Sequence, residues 1–312
     1  MELATCTTLT TSNKLANLIG SFIESQDVKL SSRLLYKRTI TQYLLWVAET
    51  NRSMDSITRV DIIAYKEDLL AKGLSSLTVG SYLTVVRKFY EWAEATKSYP
   101  NVAKGIKTPK RKQIFKKLPL TKEQATSLLN YFEAKGEAGE RDYAIVNLLL
   151  RTGIRTIEAI NTNIEDVTFK QGKRVLLVQG KGEVEKNNFV ILTDKAYIPL
   201  KRYLDARGVT KHNEPLFTSL SNNNKSKRLT TRSISKIVKE GLKSIDLDNK
   251  HLTAHSLRHT LAINILLAGG SLTEVQGVLR HANPATTQIY TRSIDETMRI
   301  KNAPEERIDS MY

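Results

Sequence analysis

Apolar positions in the first hundred residues recur at helical spacing. Over residues 34–50, Tyr36, Ile40, Tyr43, Leu44 and Val47 fall on one face. Thr58 and Asp61 make a capping-box pair, and Ile62, Ile63, Tyr65, Leu69 and Leu70 follow it. Ser75 or Ser76 starts a longer helix whose stripe is Val79, Tyr82, Leu83, Val86, Phe89 and Ala93. With a shorter segment near residues 14–25, the pattern predicts a bundle of about four helices.

The second half opens on another capping box, Thr121 with Gln124, and predicts helices over about 122–134 and 140–152. The period then changes. Asp166–Phe169, Val175–Val178 and Phe189–Leu192 are short β-rich runs, with turns at Gln171-Gly172 and Gly180-Lys181-Gly182. They predict a small antiparallel meander. Helical spacing returns over about 196–206, 231–244, 256–268, 272–281 and 285–292. Gly269-Gly270 ends one of these helices, Ser271 with Glu274 caps the next, and Asn283-Pro284 fits the start of the last. The fold class is mainly α, a helical first domain followed by a mixed α/β domain.

Length and charge sharpen this picture. The 312 residues suggest about two domains. Lys and Arg number 48 against 32 acidic residues, a net charge of +16, while 40% apolar content marks a folded chain. A charge this large points to an anionic partner, nucleic acid first. The aromatic stripe has core spacing, so it is read as packing rather than as a platform for stacking bases. Cys6 is the lone cysteine, which excludes a disulfide framework and a cysteine-built zinc site. No apolar run approaches the ~20 residues of a membrane span. The start carries no basic region followed by an apolar core, so no secretory signal is read and a cytoplasmic location is expected.

The densest positive stretch lies between the two halves. Lys104, Lys107, Lys110, Arg111, Lys112, Lys116 and Lys117 occur without an acidic residue, among helix-breaking Pro100, Pro109 and Pro119. Domains are therefore expected at 1–98 (with a short tail, 1–13), a basic linker at 99–118 and a second domain at 119–312. The linker lysines and arginines are candidate contacts to a phosphate backbone, or else an ordinary solvated run.

Four segments of the second half carry candidate chemistry: Thr152–Glu158, the turn Gly180–Gly182, His255–His259, and Leu279–His281 followed by Tyr290. Together they supply what DNA strand cleavage without a metal or ATP would need. Arg155 and Arg258 are guanidinium forks matched to the charge of a pentacoordinate phosphorane. Tyr290 is a candidate nucleophile, whose phenol pKa of ~10 a cationic site is expected to lower. Lys181, on a hairpin turn, could protonate a departing 5′-oxygen, with Lys186 as its rival. His255 and His281 fit acid, base or phosphate-donor roles. Each residue alone has a blander reading. Arg155 could be a surface charge paired with Glu158 at i+3, His281 and Tyr290 could be packing residues, and His259 could be a metal ligand at i+4 from His255. No cysteine or nearby carboxylate completes a metal set, so no metal and no cofactor are expected.

These segments resemble, in order, the signature of the tyrosine recombinase, or phage integrase, family: TGIRTIEA, the hairpin lysine, HSLRH, LRH and TTQIYT. The resemblance covers about 119–292, and the helical first half resembles the family's core-binding domain less specifically. It implies that Arg155 and Arg258 are the two catalytic arginines, Lys181 the hairpin lysine and Tyr290 the nucleophile, with His255 and His281 beside them. Glu158 would be a structural acid and His259 a supporting or packing residue. Two departures stand out: Arg280 replaces the family's usual glycine, and the hairpin GKGEVEKNN is more acidic than usual.

The implied activity is site-specific recombination through a covalent 3′-phosphotyrosyl intermediate. The implied partners are double-stranded DNA with inverted half-sites, further copies of the chain (a dimer per site, a tetramer in the synapse) and DNA-bending accessory proteins. The end of the chain, about 294–312, would dock on a neighbouring protomer. Three alternatives remain: a type IB topoisomerase-like enzyme, a catalytically silent DNA-binding architectural protein, and a metal-dependent nuclease, which EDTA would silence.

Overall fold

A computed structural model describes residues 16–110, 118–180, 183, 185–208, 211–290, 304–309 and 311. The chain divides into two compact units, Met1–Ile114 and Phe115–Tyr312.

The first unit is built on α1 (16–24), α2 (Leu30–Glu49), α3 (Arg59–Ala71) and α4 (Ser76–Ala95). The stripe predicted on α4 is buried along its whole length, against Ile40, Tyr43, Leu44 and Val47 of α2. The aromatics are core: Tyr43 and Tyr90 join hydroxyls at 2.7 Å with their rings edge to face. The Asp61 carboxylate accepts the Thr58 N–H at 2.9 Å and the Thr58 hydroxyl at 2.7 Å, fixing the start of α3.

The start of the expected linker belongs to this unit. Ala103 and Ile106 are buried in its core, and the Arg59 guanidinium donates to the carbonyls of Lys104 and Gly105. The sequence hides this because Lys104 and Lys107 sit beside the two buried positions. Their side chains, with that of Lys110, are exposed. Arg111, Lys112, Lys116 and Lys117 lie outside the described residues.

The second unit runs α5 (Lys122–Glu133), α6 (Glu140–Thr152), α7 (Thr156–Asn161), β1 (Val167–Lys170), β2 (Lys173–Val178), β3 (Asn188–Ile191), α8 (Asp194–Arg207), α9 (Thr231–Ser244), α10 (Ala254–Leu267) and α11 (Leu272–Leu279). Residues 288–290 are helical (α12), and α13 spans Pro304–Asp309. α6 is the central element, packed against α5, α8 and α10. Its buried residues Ala144, Ile145, Val146, Leu148, Leu149 and Leu150 account for the apolar run through its middle. The strands form an antiparallel sheet in the order β1-β2-β3, with Val167 opposite Leu176 and Val175 opposite Ile191. Gln171 (φ 49°) and Gly172 (φ 74°) close β1–β2 in a two-residue turn that needs both in the left-handed region. Outside the helical segments of the second unit, the Leu120 N–H donates to the Thr260 hydroxyl at 2.8 Å and ties its entry to α10.

Three details depart from the sequence reading. The helix α7 was not anticipated, because six residues are too few for a period to show. The helix expected over 272–281 stops at Leu279, and Arg280 takes a left-handed conformation. The helix expected over 285–292 is interrupted. Pro284–Thr286 form a 3-10 turn, capped by Asn283 through the Ala285 N–H at 2.9 Å, before α12 begins. Of the docking segment expected at 294–312, only 304–309 and 311 are described. Among the described residues no helix is long and apolar enough to cross a membrane.

Candidate active site

α6 ends where Gly153 adopts φ 59°, and the chain turns directly into Arg155, the N-cap of α7. Glu158 then sits one turn inside α7. Its carboxylate accepts the Arg155 backbone N–H at 2.9 Å and the Arg155 guanidinium at 2.5 Å. The i+3 pairing is thus real, but it is no surface pair: Glu158 is 2% exposed. Burial by itself would raise the carboxyl's pKa. The Arg280 and Arg155 guanidiniums outweigh it and hold the group below the usual carboxylate range.

α10 supplies His255, Arg258 and His259 from consecutive turns. Arg258 is 2% exposed, and its guanidinium donates to the main-chain carbonyls of Gly153 and Leu279. Burial, then the nearby charges of Arg155 and Arg280, pushes its pKa down to about 9, which still leaves it protonated at neutral pH. The His255 and His259 rings meet edge to face at 4.6 Å.

The turn after α11 supplies His281, whose Nδ1 lies 2.9 Å from the Thr287 hydroxyl. Burial and the surrounding arginines, Arg258 first, push its pKa down to about 4, so the ring is neutral at pH 7. Arg155, Glu158, His255, Arg258, Arg280 and His281 line one cavity of about 890 Å³. Tyr290 lies beside it. Its ring is parallel to that of His281 at 6.3 Å, and its hydroxyl is 2.7 Å from His259 Nδ1.

One expectation changes here. The cationic surroundings were expected to lower the Tyr290 pKa, but burial raises it to about 12, and the opposing pull of Arg258 and Arg155 is smaller. The ring is 2% exposed and packs with Ala262, Val275 and Leu279, so loss of water outweighs the nearby positive charge. His259 is a hydrogen-bond partner of Tyr290, a contact across 31 residues of sequence that its place beside Arg258 only hinted at. Among the described residues no cluster of His, Cys, Asp and Glu could hold a metal ion.

Lys181 lies outside the described residues. Its rival Lys186 is committed elsewhere, paired at 2.5 Å with Asp166, whose carboxylate also accepts the Asn163 N–H. Within the hairpin, the Glu183 carboxylate accepts from the Asn188 side-chain amide at 2.8 Å.

Gly153 gives this geometry a stability test. A β-carbon there would come within 2.8 Å of Leu279 and 2.9 Å of Leu261, on a left-handed backbone. Gly153→Ala is expected to destabilise the unit by about 3 kcal/mol, from φ strain and overpacking together. Urea denaturation measures this; a loss below about 1 kcal/mol would mean the two leucines yield freely.

The profile of the phage integrase family matches residues 119–297, more than half of the chain, and that of its N-terminal SAM-like domain matches residues 25–97. The chain belongs to the phage integrase family. Its enzyme class is that of the tyrosine recombinases, which recombine DNA at specific sites. Among relatives of this integrase, the tyrosine recombinase XerC of Pelobacter propionicus is 33% identical over 271 residues, covering 85% of this chain and 86% of that protein. The tyrosine recombinase XerD of Oceanobacillus iheyensis is 32% identical over 278 residues, covering 85% and 87%. The fold is shared with XerH site-specific recombinase in a post-cleavage complex with palindromic difH substrate (TM-score 0.74, 21% identity, 94% of this chain and 85% of that one). It is also shared with a lambda integrase dimer bound to a COC′ core site (TM-score 0.67, 14% identity, 89% and 94%).

Proposed function

We propose that this integrase cuts and rejoins duplex DNA through Tyr290. The phenol oxygen attacks the phosphorus of one strand, the bond to the 5′-oxygen breaks, and a 3′-phosphotyrosyl link forms as a 5′-hydroxyl departs. The phenol proton leaves to a base, and the 5′-oxygen gains one from an acid. In the reverse step a 5′-hydroxyl attacks the link and releases the tyrosine. Bond energy is kept throughout, so rejoining needs no ATP, and two fixed guanidiniums take the place of a metal.

Arg155 and Arg258 stabilise the charge on the non-bridging oxygens. Neutral His281 shares the proton transfers with His255 and Lys181, and Glu158 positions Arg155. The observation that carries the reading is the convergence on one cavity of Arg155, Arg258, His255 and His281, from three separate stretches of chain, with Tyr290 against His281. A topoisomerase-like or silent architectural role gains no comparable support.

The substrate is double-stranded DNA, and the work is cytoplasmic, where a chromosome or mobile element would lie. We extend the proposal to inverted half-sites occupied by two copies, four copies in the synapse, DNA-bending accessory proteins, contacts from the basic segment 104–117 to phosphates, and docking of the chain end (294–312) on a neighbour. A near-palindromic site is what a two-fold pair of identical chains would read.

Covalent trapping tests the chemistry. The protein is mixed with nicked duplexes from its native genomic neighbourhood in EDTA, and the SDS-resistant adduct is digested and mapped. The expected product is a nucleotide on the peptide carrying Tyr290. An adduct on another residue, or one that forms only with added metal, would sink the proposal.

A further inference from the structure

We infer that Arg280 is a positioning residue for this reaction: it serves as counter-ion to Glu158, which leaves the charge of Arg155 available to the DNA phosphate. The inference rests on the site assignment proposed above and adds a residue to it.

The backbone gives the first indication. α11 ends at Leu279, and position 280 has φ 54° and ψ 51°. Glycine adopts this region freely, while a long L side chain pays for it without local return. The resemblance to the integrase signature anticipates glycine here, and the sequence has arginine. The side chain is only 9% exposed. Nη2 donates to the Glu158 carboxylate at 2.7 Å and Nη1 to the Val278 carbonyl at 2.8 Å, while Nε is buried without a hydrogen-bond partner. A guanidinium with an unmet donor on a disfavoured backbone is held there by its ion pair.

The second indication is the balance of charge. With glycine at 280, the buried carboxylate of Glu158 would have Arg155 as its direct partner, and a phosphate would compete with the carboxylate for that arginine. Arg280 changes the count to three guanidiniums (Arg155, Arg258 and Arg280) around one carboxylate, each from a different part of the chain. Glu183, His255 and His281 also line the cavity, and His281 is neutral at pH 7. Glu158 can then hold the Arg155 backbone and side chain in place while its charge is met from the other side. The charge of Arg280 also helps keep the Glu158 carboxyl ionised against its burial, alongside Arg155.

The test uses the full chain and the nicked duplex recovered from wild-type adducts. Arg280→Gly and Arg280→Asn both suit a left-handed backbone and both remove the charge, so if one folds poorly the other still answers. Arg280→Lys keeps the charge without the fork. Single-turnover adduct formation is followed against DNA concentration and pH. Both neutral variants are expected to slow the reaction at saturating DNA by ~10- to 100-fold, with half-saturation moved less than about threefold. The acid limb of the pH profile should move to higher pH as Glu158 loses one of its two counter-ions, and Arg280→Lys should recover most of both effects. Neutral variants that react within about twofold of wild type, on an unshifted limb, overturn the inference and leave the site assignment standing. So does an Arg280→Lys protein as slow as the glycine variant, which would make the residue a packing element. No adduct from wild type overturns the site assignment, and this inference with it.

Discussion

Tyr290→Phe is expected to remove the SDS-resistant adduct while leaving a folded, DNA-binding protein. The phenylalanine ring keeps the contacts with Ala262, Val275 and Leu279, while the hydrogen bond to His259 is lost. That loss is worth about 1 kcal/mol, too little to unfold the unit. Removal of the proposed nucleophile should lower adduct yield by at least about a thousandfold, because the link is proposed to form on its oxygen. Gel-shift affinity should change by less than about threefold, since phosphate contacts dominate binding and none is removed. Equal adduct from the two proteins would move the nucleophile away from Tyr290.

The second large effect is expected from Arg258. In Arg258→Lys the positive charge survives. A single ammonium, however, cannot reach the carbonyls of Gly153 and Leu279 and also present a planar fork to a phosphate. Single-turnover cleavage should fall by roughly 100- to 1,000-fold, the range seen when one preorganised donor to a developing negative charge is lost. Thermal melting should separate this from collapse of the fold, as Lys can still satisfy one of the two carbonyls. A variant that cleaves within about fivefold of wild type would show that charge alone suffices there.

Much of this architecture is legible in the sequence, for identifiable reasons. The α4 stripe reads clearly because one face is buried along its whole length, so its period survives. The meander reads from its β-branched runs and from Gln171-Gly172. The cavity residues read because their types and order match a chemical task, and the side chains of Arg155, Arg258, His255 and His281 do converge. What stayed hidden depends on contacts between distant segments. The burial of Ala103 and Ile106 is masked by the lysines around them. The bond from His259 to Tyr290 joins residues that no period relates. The sign of the Tyr290 shift needed a measure of burial against charge, and composition near the motif speaks only of charge. Arg280 reads as a departure from a pattern, but its purpose requires seeing Glu158 from the far side.

The carbonyls that hold Arg258 belong to Gly153 and Leu279, the points at which α6 and α11 stop. Helix ends carry main-chain oxygens without helical partners and a concentration of partial negative charge. The buried cation is therefore gripped by chain geometry rather than by neighbouring side chains. This divides sequence change into two kinds. Substitutions elsewhere on α6 and α11 can drift while both helices still end in register. A single inserted or deleted residue in either turn would rotate a carbonyl away and strand the charge. Length at these two turns is thus as constrained as the identity of Gly153 and Arg280 within them.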